Sequence, residues 1–94
     1  MMKESLTDDI NKLLKWIAKQ KIESIGFEPT NEGSQFYTII INDFNIYLEI
    51  FYEDKDLLEG TEVIVNVYKN KEVILAYGGT MDEVLKKLNE LING

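Results

Sequence analysis

The chain of 94 residues has no cysteine, no histidine and no arginine; all ten of its basic residues are lysine, and it has one proline. Each absence excludes a class of chemistry. Without cysteine there is no disulfide scaffold, no thiolate nucleophile and no thiolate zinc site. Without histidine there is no imidazole base or imidazole metal ligand. Without arginine no planar fork can clamp a phosphate or carboxylate. Apolar runs fall far short of the ~20 residues that a spanning helix needs. The N-terminus reads Met1-Met2-Lys3-Glu4 and then turns polar, without the apolar stretch of a signal peptide. A cytoplasmic location is the expectation.

The residues that are present describe an ordinary folded domain. Hydrophobics make up 45% and charged residues 29%, which is close to globular averages and far from disorder. A chain of this size buries roughly 65% of its unfolded surface, enough for one core without staples. One α+β domain spanning 1–94 is expected.

Two segments carry a helical period. Leu6, Ile10, Leu13, Leu14 and Ile17 recur at steps of three and four, which predicts a helix over about 6–21. Ser5 or Thr7 would cap it, and Lys12, Lys15, Lys19 and Lys21 load its C-terminal half, with Trp16 on the flank of that stripe. At the other end Thr80-Met81-Asp82-Glu83 is a capping box. Met81, Val84, Leu85, Leu88, Leu91 and Ile92 follow as the apolar stripe of a helix over about 81–92.

Between the helices the period becomes two. Ile46, Leu48, Ile50 and Tyr52 alternate with Tyr47, Glu49, Phe51 and Glu53; Val63, Val65 and Val67 alternate with Glu62, Ile64, Asn66 and Tyr68. Val73, Leu75 and Tyr77 alternate likewise, 36–41 is apolar and β-branched, and 24–28 reads as a short first strand before Pro29. The order α-β-β-β-β-β-α with short links predicts a five-stranded antiparallel meander with both helices on one face. A four-residue loop at 42–45 would set Ile41 against Ile46. At the next hairpin a three-residue loop, Lys69-Asn70-Lys71, pairs Val67 with Val73 and Val65 with Leu75, collecting the most apolar inner face; a two-residue loop would flip every side chain.

On that register the outer face shows Phe36, Ile40, Tyr47, Phe51, Ile64, Tyr68 and Ile74, among Glu49, Glu53, Glu62 and Glu72. A solvated face is normally more polar. Charge is uneven as well. Residues 1–22 hold five lysines against three acids, residues 23–62 hold one lysine against ten, and residues 63–94 hold four of each. The formal charge of −7 therefore arises from the middle of the chain, densest at Glu53, Asp54, Asp56 and Glu59. Same-face strand residues lie about 6.8 Å apart, close to the about 6–7 Å between successive phosphates of a nucleic-acid strand. The candidate partner-binding residues are Tyr47, Glu49, Phe51, Glu53, Asp54, Asp56, Glu59, Glu62 and Tyr68.

Other chemistry finds less support. Asp54-Lys55-Asp56 with Glu59 departs from the calcium-loop pattern, which needs glycine where Glu59 stands. Gly78-Gly79-Thr80 could cradle an anion, but Asp82 and Glu83 follow at once and would repel it. Glu49 and Glu53 share a face without sign of a cleft. The expectation is no catalysis, no cofactor, no metal, no membrane and no direct nucleic-acid contact.

The element order resembles the type III secretion chaperone-like fold, in which helices also stand at both ends of an antiparallel sheet, although 54–60 replaces its middle helix. That resemblance implies a homodimer holding a client segment. The residues themselves favour a small acidic, non-enzymatic protein-binding module. Its partner would be a larger protein with a basic surface, and its most concrete form is an inhibitor of a nucleic-acid-handling protein, of the phage anti-defence or immunity type.

Overall fold

The structure, a computed structural model, describes residues 2–30, 33–51 and 62–93. Helix α1 (Met2–Ala18) leads into strands β1 (Ser24–Pro29), β2 (Ser34–Ile41), β3 (Phe44–Phe51), β4 (Glu62–Lys69) and β5 (Glu72–Gly79), and helix α2 (Met81–Asn93) ends the fold. The strands form one antiparallel sheet in the order β1-β2-β3-β4-β5, as the period-two segments predict. The segment 52–61, which joins β3 to β4, lies outside the described residues.

The inner face carries the core. Tyr37, Ile39 and Ile41 of β2, Ile46, Leu48 and Ile50 of β3, and Val63, Val65 and Val67 of β4 are all buried. Leu13 and Trp16 of α1 and Met81, Val84 and Leu88 of α2 complete the cluster. Both helices therefore lie on the inner side, α2 packing against β4, β5 and α1.

Helix α1 departs from its predicted limits and stripe. It begins at Met2, so Ser5 and Thr7 lie inside it instead of capping it. It closes early with three-residue hydrogen bonds, Lys19 N to Trp16 O at 3.1 Å and Gln20 N to Ile17 O at 3.0 Å, a tightening common at helix ends. Leu14 is 50% exposed, whereas Trp16 is buried. The buried arc turns toward α2, where the Trp16 indole donates to Asn89 Oδ1 at 2.7 Å.

Both hairpin loops are shorter than expected. Ile41 pairs with Phe44 across a two-residue turn, Asn42-Asp43, in which Asn42 takes φ 53°, a conformation asparagine tolerates. The register moves by two residues, so the partition of faces is unchanged. The second turn is Asn70-Lys71, with φ 53° and 68°, the double left-handed geometry of a type I′ hairpin. Taken alone it would have turned the core side of β5 outward. A register shift corrects it: Tyr68 pairs with Val73, and Val67 pairs with Leu75. Ile74 is thereby the extra residue of a β-bulge. Leu75 and Tyr77 return to the inner face. Val73, expected inside, joins Tyr68 on the outer face and is 54% exposed. Glu72, expected outside, pairs with Lys69.

The capping box forms as read. Thr80 N donates to Glu83 Oε1 at 3.0 Å, and Glu83 N donates to Thr80 Oγ1 at 3.2 Å. Gly79 makes room for it, because a Cβ there would stand 2.8 Å from Glu83 Oε1. The Thr80 backbone and side-chain hydrogen bonds, then that of Tyr77, hold the Glu83 carboxyl below the usual glutamate range. A depressed carboxyl contributes stability above its unfolded pKa and loses it as pH falls through the lower folded value. Glu83→Gln is therefore expected to narrow its stability gap to the parent as pH drops below about 4, read from urea midpoints at pH 6 and pH 3. Thr80→Ala removes the cap and should cost about 1 kcal/mol at neutral pH. A gap that widens in acid would show that Glu83 acts otherwise.

Candidate functional site

The outer face of the sheet is covered by no described element. Strand pairing orders it in rows. One row runs Glu28, Phe36, Glu49, Ile64, Gly78; the next runs Gly26, Thr38, Tyr47, Asn66, Ala76; a third runs Ser24, Ile40, Asn45, Tyr68, Val73. Phe51 and Glu62 are paired beyond the first row. Tyr47, half-buried, stands in the middle row between Thr38 and Asn66.

Three aromatic rings cross this face on a diagonal. Tyr47 lies 6.1 Å from Phe36 and 5.5 Å from Tyr68 by ring centroid, the second pair edge to face. Diagonal cross-strand neighbours lie about 7–8 Å apart at the backbone, within reach of large side chains. Pairs of this geometry contribute about 0.5–1.5 kcal/mol beyond their burial, so the row is ordered before any partner arrives. Ile64 and Ile74 are 37% and 39% exposed beside it.

The carboxylates gather at one end. Glu28, Glu49 and Glu62 occupy the row of Phe36 and the positions beyond it, and no lysine stands at a described strand position of this face. Glu49 is held in place: Ser34 Oγ, fully buried, donates to Glu49 Oε2 at 2.7 Å, and Thr30 Oγ1 lies 2.6 Å from Ser34 Oγ. Lysines sit on the helix side instead, where Lys12 bridges to Asp82 at 3.0 Å. Beside Phe36 a shallow depression of about 230 Å³ is lined by Gly26, Phe27, Glu28, Phe36 and Thr38.

Of the nine residues read from the sequence, Tyr47, Glu49, Phe51, Glu62 and Tyr68 stand at outer-face positions of the sheet. Glu53, Asp54, Asp56 and Glu59 lie outside the described residues. Phe36 and Ile40 belong to the same surface, where the pairing of Ile41 toward Ile46 read from the sequence also put them. Glu28 was not singled out, because the face of a short first strand depends on a pairing that the sequence does not display. Val73 was missed because the bulge is silent in the hydrophobic pattern. Among the described residues no three carboxylates come together as a metal site, and no helix is long and apolar enough to cross a membrane. Compared with known protein families, characterised proteins and solved structures, the chain matches none.

Proposed function

We propose that this chain is a small, non-enzymatic, acidic binding module of the cytoplasm that docks through its outer sheet face onto a larger protein with a basic surface. The observation that carries the reading is the row Phe36, Tyr47, Tyr68 on a face that no described element covers, with Glu28, Glu49 and Glu62 at one end. Aromatic anchors, tyrosine among them, carry much of the binding energy of protein interfaces. The absence of lysine from the described strand positions of that face favours a cationic partner, since complementary potentials speed encounter and exclude wrong partners.

The most concrete form of the reading is inhibition of a nucleic-acid-handling protein. Glu49 and Glu62 are diagonal neighbours on adjacent strands, a separation of about 7–8 Å that is close to phosphate spacing. The same carboxylates, with Glu53, Asp54, Asp56 and Glu59, would occupy a groove built for a nucleic-acid backbone. The reading assigns the chain no catalytic step, metal or cofactor.

The test is capture from a host lysate with the parent and three variants, identified by mass spectrometry. The expected partner binds nucleic acid and is released by added DNA. Tyr47→Ala with Tyr68→Ala should lower its affinity about 30-fold or more. Neutralising the acidic set to Gln and Asn should slow association and flatten its salt dependence. Reversing Lys12, Lys15 and Lys19 should change little. Equal losses from the lysine and acidic sets, or none from the tyrosines, would defeat the proposal.

A further inference from the structure

We infer that β1 is a self-pairing edge, at which a second copy of this chain adds antiparallel about Gly26 to make one continuous ten-stranded sheet. Among the described residues the backbone of β1 comes close to that of β2 alone, and each of its six residues is exposed. Ile25 and Phe27 pair with the inner-face residues Ile39 and Tyr37, yet remain 49% and 54% exposed. The Phe27 ring is already seated, 5.1 Å from that of Tyr37.

Unpaired edges of natural sheets are normally blunted by lysine, proline, a bulge or short length. The opposite edge, β5, has its bulge at Val73 and Ile74. By contrast β1 pairs with β2 in uninterrupted register from Ser24 to Pro29. It contains no lysine, and its proline stands at the last position, where it ends the strand without interrupting it.

The occupant follows from the order of the side chains. In an antiparallel pair centred on Gly26, each Ile25 faces the other copy's Phe27, and each Ser24 faces the other copy's Glu28. Two aliphatic–aromatic pairs form on the helix side, a favourable cross-strand combination. No carboxylate is set directly against another, since Glu23 falls opposite Pro29. A twofold axis normal to the sheet brings both helical layers to the same side and both aromatic rows to the other, so this contact leaves the outer face free.

The closing experiment uses the full chain and the absence of native cysteine. Gly26→Cys places two thiols directly opposite, at a Cα separation of about 4.5–5.5 Å, inside the range a disulfide spans. The new side chain has room, its nearest neighbour being Thr38 Cβ at 3.9 Å. Ser24→Cys is the control, since its twin lies about 14 Å along the strand. On oxidation with diamide, Gly26→Cys should link into a dimer in high yield, and Ser24→Cys should not. In sedimentation equilibrium the parent should be dimeric, and Ile25→Lys, folded by circular dichroism, should be monomeric. A parent that stays monomeric at millimolar concentration overturns the inference. So does equal linking of both cysteine variants, or a dimer that survives Ile25→Lys and dissociates on Tyr47→Asp, which would assign the contact to the outer face.

Discussion

Leu48→Asp is expected to leave the chain unfolded at 25 °C, while Thr38→Asp folds. Leu48 is fully buried at the centre of β3, between Tyr37 and Val65. Emptying such a site costs about 2–5 kcal/mol, and burying a carboxylate without a partner adds several more. Domains of this size have a total stability of roughly 5–15 kcal/mol. Thr38 occupies the next strand but the other face, opposite Tyr47, where a new charge keeps its water and should cost about 1 kcal/mol or less. Far-ultraviolet circular dichroism with urea titration separates the two. A folded Leu48→Asp beside an unfolded Thr38→Asp would mean that the faces are inverted.

The second large effect lies between the helices. Trp16→Ala should cost about 3–5 kcal/mol, because the indole is 6% exposed and fills the seam between α1 and the rest of the core. Trp16→Phe should cost much less. It gives up the hydrogen bond to Asn89, but Asn89 is exposed and also receives Asn93 Nδ2 at 3.2 Å, so water replaces the indole for about 1 kcal/mol. The bridge from Lys12 to Asp82 joins the same two helices between exposed side chains, and Lys12→Met should change stability by less than about 1 kcal/mol. Chemical denaturation followed by circular dichroism reads all three, since the chain's one tryptophan is the residue replaced. A larger loss from Lys12→Met than from Trp16→Ala would place the seam's strength in the ion pair.

Much of this architecture was legible because one-sided burial writes itself into alternation. Ile46, Leu48 and Ile50, then Val63, Val65 and Val67, announce both a strand and its inner face. The box at Thr80 and Glu83 announces a helix start through chemistry local to four residues. Trp16 was less legible, since its face of α1 depends on where α2 lies and a lysine stripe beside it imitates a solvated flank. The turn at Asn42-Asp43 was read two residues too long, because a single Phe44 among asparagines and aspartate reads as loop; it packs half-buried against the core beneath Lys69, whose Nζ stands 5.0 Å above its ring. As for the site, alternation showed which side chains share the outer face. It could not show that Phe36, Tyr47 and Tyr68 touch, because contact on a diagonal depends on register.

The bulge at Ile74 makes length in the last hairpin a conserved sum. One residue was withheld from the turn and one was spent in the strand, so everything from Leu75 onward, including the start of α2, stands where a three-residue turn between Lys69 and Glu72 and no Ile74 would have put it. Two chains built on these alternatives would share a core and differ in chain length nowhere. Aligned residue by residue, however, they would seem to exchange Val73 between interior and surface. The hairpin is therefore a place where sequence can slide by one position beneath an unmoving fold, with the outer face alone recording the change.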